Sequence, residues 1–280
     1  MYLIFGLVIV VLMSGCAQKI SEIEKLPKET SVVTEADSQE DTRSPEAGEY
    51  QQDWGIYDQV TWYFDTEWKV EGNPSLCPEP FILQTPIDTN LATSVLYPGQ
   101  LRSGNYKPHG GFRFDHSENE DITVKAPVDG VLVRGSRYIE SGEIQYMFDI
   151  INPCGIMVRF DHLLALSPKF ADAAEQLRQP VADDSRTTPL DPIPIRAGEV
   201  VATAVGLKKT ERSVGVDWGV YDLRQKNQAS KNPEWLLQHP GEQAPYALCW
   251  LDLLPPEDST KLKSLPGGDY ISGKQSDYCK

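Results

Sequence analysis

Residues 122–138, "ITVKAPVDGVLVRGSRY", hold two short runs of β-branched and aliphatic side chains divided by Pro127 and the Asp129-Gly130 pair. Val, Ile and Tyr suit a half-buried pleated surface and Asp-Gly is a tight-turn dipeptide, so the segment predicts strand, turn, strand. The same grammar recurs outward. "IQYMFDII" (144–151), "GIMVRFDHLL" (155–164), "EVVATAVG" (199–206), "VGVDWGVYDLR" (214–224) and "YALCWLDLL" (246–254) are apolar or alternating runs bounded by turn formers. Upstream, "VTWYFDTEW" (60–68) has strand composition without Gly or Pro and opens the folded part. Only "SPKFADAAEQLRQ" (167–179), with Ser167 and Pro168 placed as N-cap and first helical residue, and "PEWLLQH" (233–239) read as helices. The pattern predicts an all-β antiparallel domain with one or two short helices and long loops. The longest of those loops is the proline-rich insert "PVADDSRTTPLDPIPIRAG" (180–198).

The chain carries 26 Lys and Arg against 41 Asp and Glu, a net charge of -15. No segment segregates the basic residues, so a phosphate backbone would be repelled and nucleic acid is not an expected partner. The first residues differ in kind. An apolar run from Tyr2 to Met13 is too short to span a bilayer as a mature helix, and small residues lead from it to Cys16. That is the pattern of an export signal, and its "MSGC" end resembles the lipobox of bacterial lipoproteins. The resemblance implies that residues 1–16 are a signal peptide, that Cys16 carries lipid, and that the protein is anchored to a membrane of the cell envelope. Residues 17–58 turn to Glu, Asp, Ser, Thr and Gln, too poor in apolar surface to offset their ordering entropy, and predict a flexible acidic tether. Residues 59–280 remain as a single domain. In an exported chain, Cys77, Cys154, Cys249 and Cys279 lack C-x-x-C spacing and predict two disulfides rather than a zinc knuckle. Three connectivities are open; Cys249 with Cys279 is preferred because it ties a Gly- and Lys-rich tail back onto an apolar run.

Two of the four histidines fall in "KPHGGFRFDHS" (107–117). Alternate side chains of an extended segment share a face, so His109, Gly111, Arg113 and Asp115 project together. Phe112 and Phe114 face the core, with His116 in solvent at the strand end. Asp161 and His162 stand at the end of the 155–164 strand, and Asp217, Gly219 and Tyr221 share one face of the 214–224 strand. The sequence has no G-x-S-x-G elbow, phosphate loop or H-E-x-x-H.

In order, "HGGFRFD", "APVDGVLVRG", "GIMVRFDHLLALS", "IRAGEVVATAVG" and "GVDWGVYDLR" resemble the LytM and lysostaphin type of zinc metalloendopeptidases, over residues 99–224. The resemblance implies a duplicated-hybrid-motif β-sandwich, with the flanking segments wrapping the same core. It also implies a groove lined by His109, Arg113, Asp161, His162, Asp217 and Tyr221. It carries the family's first ligand histidine onto His109 and its catalytic histidine onto His162. The ligand aspartate falls on Arg113, and the closing H-x-H strand falls on Asp217 and Gly219. One histidine cannot hold zinc, which takes three protein ligands at a catalytic site, and a guanidinium at a ligand position repels a dication. The expectation is a domain without a cofactor that binds peptidoglycan, another envelope glycan or a cell-wall hydrolase rather than cleaving. Arg113 would neutralise Asp115, Asp161 or Asp217 and clamp peptide carboxylates. The alternative is an active zinc endopeptidase acting on cell-wall peptides with His109, Asp115 and Asp217 as ligands and His162 as the catalytic residue, since Asp115 shares a strand face with the lost position.

Overall fold

The computed structural model describes residues 60–209 and 213–280; the signal-like segment, Cys16 and the acidic stretch to residue 58 lie outside them. Among the described residues no helix is long and apolar enough to cross a membrane. Strands dominate, and every pairing between them is antiparallel, as the alternating runs predict. Two hairpins stand apart, β1 (Val60–Phe64) with β2 (Trp68–Gly72) and β4 (Gln100–Arg102) with β5 (Asn105–Lys107). The other strands form one sheet: β3 (Ser94–Leu96), β6 (Gly110–Arg113), β7 (Val124–Lys125), β8 (Gly130–Glu140), β9 (Glu143–Ile151), β10 (Ile156–Leu166), β11 (Thr188–Ile195), β12 (Val200–Val205) and β13 (Gly215–Asp222). Their order is β11-β8-β9-β10-β13-β6-β3, with β12 branching from β10 and pairing β7. The β8–β9 turn places Ser141 and Gly142 at φ 50° and 77°, the twist-matched hairpin geometry.

β10 is where the sheet divides. Its first half pairs with β9 and β13, and from Leu163 onward it pairs with β12. Between the halves the register slips and His162 takes φ 61°, a β-bulge in a conformation unusual for a side chain of this size. The core on one face of β13 is aromatic. Trp218 stacks on Phe112 at 5.6 Å and on Phe160 at 6.3 Å, and tilts against Trp250 at 4.7 Å between ring centroids. On the opposite face Tyr221 and Met157 join Trp68 and Tyr246 in a smaller cluster. β10 and β13 are therefore covered on both sides over their paired length, which fixes the positions of residues at its open end.

Three segments differ from the sequence reading. "YALCWLDLL" makes one isolated bridge at Ala247 and a 3-10 turn, Trp250–Leu253, instead of a strand, and a second 3-10 turn, Ala244–Tyr246, ends at its first residue. A short apolar run has no periodicity to separate strand from turn. The insert 180–198 is not all loop: β11 pairs with β8 as the edge strand of the sheet, and its prolines are tolerated because β11 has no partner on its other side. "VTWYFDTEW" breaks at Asp65-Thr66-Glu67 into the β1–β2 hairpin. The two predicted helices are present as α1 (Pro168–Ala174) and α2 (Pro233–Gln238), and a third, α3 (Pro256–Ser264), follows. Ser167 precedes α1 without a side-chain capping bond, whereas Asn232 caps α2 by accepting from the Glu234 amide at 3.0 Å. Disulfides join Cys77 to Cys154 and Cys249 to Cys279.

Candidate functional site

Three strands deliver the site. In the ladder Asp217 on β13 lies between Asp161 on β10 and Gly111 on β6. Gly111 is small for a reason, because a Cβ there would come within 3.0 Å of Asp217 Oδ1. The space it leaves lets His109, two residues earlier on the same face, donate from Nε2 to Asp217 Oδ2 at 3.0 Å. Opposite, the bulge turns His162 toward the same carboxylate, with Nε2 3.9 Å from Oδ2 and Nδ1 3.5 Å from Glu140 Oε2. Asp161 is fixed by Tyr138, whose hydroxyl donates to Oδ1 at 2.6 Å, and by the His162 amide at 2.8 Å. Arg102 supports the far side: its guanidinium donates to the His109 carbonyl at 2.8 Å and stands 3.9 Å from Asp217 Oδ1.

His109, Tyr138, Glu140, Asp161, His162 and Asp217 line an open groove of about 690 Å³, joined there by Lys107, Arg159 and Glu242. The last two belong to a buried ion network. Asp149, fully buried, accepts from Arg134 Nε at 2.5 Å and from Arg159 Nε and Nη2, both at 2.6 Å, while Glu242 accepts from both terminal nitrogens of Arg134.

Burial alone would raise the Asp217 carboxyl, but the hydrogen bond and charge of His109, with Arg102 and His162 nearby, hold it well below the ordinary carboxylate range. Burial pushes the His109 imidazole down against the pull of Asp217. His162 moves the other way: burial opposes its charge, but Asp161, Asp217 and Glu140 together outweigh it and raise the imidazole. The two imidazoles are thus pushed apart in acidity around one ionised carboxylate. The His162 side chain is 26 % exposed, so its ring faces the groove, where an N–H can donate to a carbonyl or carboxylate.

Of the residues singled out in the sequence, His109, Asp161, His162 and Asp217 converge. The others do not. Arg113 shares their strand face but lies two residues further along β6, against Gly215 and Gly268, and among the described residues it makes no ion pair; Arg102 stands beside Asp217 in its place. Asp115 is exposed and accepts from the Thr93 hydroxyl at 2.8 Å. Tyr221 is buried in the smaller cluster and reaches the groove only through its hydroxyl, 3.3 Å from Gln243 Oε1. Tyr138, Glu140, Arg102 and Arg159 carried no motif. Only the length of β8 and the strand parity of β10 could have brought the first two and the last of them to this end of the sheet.

The donor set does not fit zinc. Among the described residues no group of three or more His, Cys, Asp or Glu has metal-holding geometry. Asp115 is engaged elsewhere, and a Cβ built at Gly219 would overlap the Tyr221 hydroxyl, so that position has no room for an imidazole as the strand stands. His109 Nε2 is committed to Asp217.

No protein-family model matches the sequence, and a comparison with curated proteins finds no match. Two solved structures are similar. One is Helicobacter pylori Csd3, at 11% identity and a TM-score of 0.33, aligned over 73% of this chain and 45% of that one. The other is a putative glycyl-glycine endopeptidase LytM from Ruminococcus gnavus, at 15% identity and a TM-score of 0.26, over 47% of this chain and 53% of that one. The chain spans about half the length of each.

Proposed function

We propose that this is an exported, lipid-anchored envelope protein whose LytM-like domain binds the peptide stems of peptidoglycan in the His162 groove without cutting them. The observation that carries the reading is the pairing of His109 with Asp217, which commits the retained ligand histidine to a carboxylate while Gly219 supplies no donor. A groove that mixes His162, Lys107 and Arg159 with Glu140, Asp161 and Glu242 offers partners for both the carboxylates and the amines of a cell-wall peptide. Two disulfides support an oxidising compartment, and the "MSGC" segment supports the anchor.

The test joins metal analysis to sedimentation with purified peptidoglycan. The expected result is metal-free protein that sediments with peptidoglycan, releases no fragments, and loses binding on His162→Ala. Near-stoichiometric zinc that disappears on His109→Ala, with cleavage of peptide stems, would instead establish the altered-ligand endopeptidase. Failure to sediment would leave docking on a cell-wall hydrolase as the function to pursue.

A further inference from the structure

The groove does not end at His109. Beyond Tyr106 and Pro108 it continues into a second depression of about 390 Å³, and Tyr106, Pro108, Glu242 and Gln243 line both. A cluster of rings stands at this junction. The His239 imidazole stacks on Tyr106 with 3.8 Å between centroids and an interplanar angle of 24°. Trp235 meets Tyr106 edge-on at 5.9 Å and lies 4.8 Å from His239.

Rings that merely fill a core have their faces covered, and these are only half-buried. They are nonetheless held still. Asp277 Oδ2 accepts from the Trp235 indole at 2.6 Å and from the Tyr106 hydroxyl at 2.8 Å, so the C-terminal tail ties together rings from two separate elements, β5 and α2. The tail itself is anchored by the Cys249–Cys279 disulfide and by the Tyr278 hydroxyl, which donates to the Ala244 carbonyl at 3.0 Å. Around the rings are groups that pair with hydroxyls. Gln238, Glu242 and Gln243 line the depression, and Gln243 uses its carbonyl oxygen on Tyr221, leaving its amide N–H donors uncommitted among the described residues.

We infer that the Tyr106–Trp235–His239 ledge is a saccharide-binding subsite that takes a pyranose ring of a glycan strand beside the peptide groove. Partly exposed, pre-positioned rings offer apolar faces to the C–H side of a sugar, and convergent amides and carboxylates take its hydroxyls. The inference rests on the reading of the groove as a peptidoglycan site, and it adds the glycan to the peptide as a recognised element.

The test titrates the full chain with a β-1,4-linked N-acetylglucosamine tetrasaccharide and, separately, with a free cell-wall stem peptide, following tryptophan fluorescence and calorimetry. The expected result is saccharide binding that weakens about three- to tenfold on His239→Ala, the loss of one ring contact, with stem-peptide binding unchanged. Unaltered thermal melting of His239→Ala and retention of binding in His239→Phe would separate the contact from folding. Stem-peptide binding without saccharide binding overturns the subsite and leaves the groove reading intact. Saccharide binding without peptide binding supports the subsite and refutes the groove reading. Saccharide binding unaffected by both His239→Ala and Trp235→Leu overturns its location.

Discussion

Asp149→Asn tests whether the buried ion network at the groove is held by charge. The substitution keeps the size of the side chain and removes its negative charge from beneath two guanidiniums. Asp149 is fully buried, and the Arg159 side chain is 8 % exposed. Arg134 keeps Glu242, which accepts from it at 2.8 and 3.1 Å. Arg159 keeps only a distant Glu242 oxygen at 3.9 Å, so the loss concentrates there. Breaking one side of a buried pair costs about 3–5 kcal/mol, and with Arg134 still paired the expected loss is near the lower end, about 3 kcal/mol. For a domain of this size that lowers the melting temperature by roughly 6–12 °C. Urea unfolding with the disulfides intact measures it. Burial would raise the Asp149 carboxyl, but Arg159 and Arg134 outweigh it and hold it below the ordinary 3.8. A depressed carboxylate contributes stability above its unfolded value and loses it as pH falls through the folded one, so the gap between wild type and variant should close in acid. A loss under about 1 kcal/mol, independent of pH, would refute the argument, because that is the behaviour of a solvated surface pair.

Three further outcomes follow from the same geometry. Gly219→Ala places a methyl against the buried Tyr221 hydroxyl and should cost about 1–3 kcal/mol by overpacking, read in the same urea titration; a neutral result would mean that Tyr221 moves freely. Replacing Cys249 and Cys279 by Ser opens a loop of sequence separation 30 and should cost about 3–4 kcal/mol; a melting curve indistinguishable from that of the oxidised wild type would contradict it. NMR titration should find His162 above and His109 below the ordinary imidazole value of 6.5. By linkage His162 then contributes stability below 6.5 that is lost as pH rises through its folded value, whereas His109 contributes above 6.5 and loses it as pH falls, so the two partly cancel. The reverse order of the two values would exclude this assignment of the two rings.

What the sequence made legible was periodicity and parity. Alternation placed Phe112 and Phe114 in the core and His109 and Gly111 on the opposite face, and the structure agrees because one inward face fixes a strand's register. Parity gives the face and not the distance along it. Arg113 has the correct face but its side chain lies against Gly215 and Gly268, while Arg102, on a hairpin with no motif, reaches Asp217 by a long-range fold contact. The bulge at His162 was equally invisible, since "RFDHLL" carries no glycine or proline to announce a break; it follows from β10 having to serve β13 with one half and β12 with the other. "YALCWLDLL" failed for the complementary reason, because a short, mostly buried apolar run has no period that separates strand from turn.

A site at which imidazoles converge on a carboxylate must settle its charge with or without a cation. Here the settlement is internal. Asp217 is answered by the His109 hydrogen bond, by Arg102 and by the nearby His162 ring; Asp161 is answered by the Tyr138 hydroxyl and a backbone amide. A dication placed among these groups would have to displace the His109 proton from Asp217 and sit near the Arg102 guanidinium, which repels it. The same arrangement leaves His162 and Glu140 partly exposed in the groove. The pairing that occupies Asp217 therefore also sets the shape of this end of the groove, and its integrity can be read in the two histidine titrations.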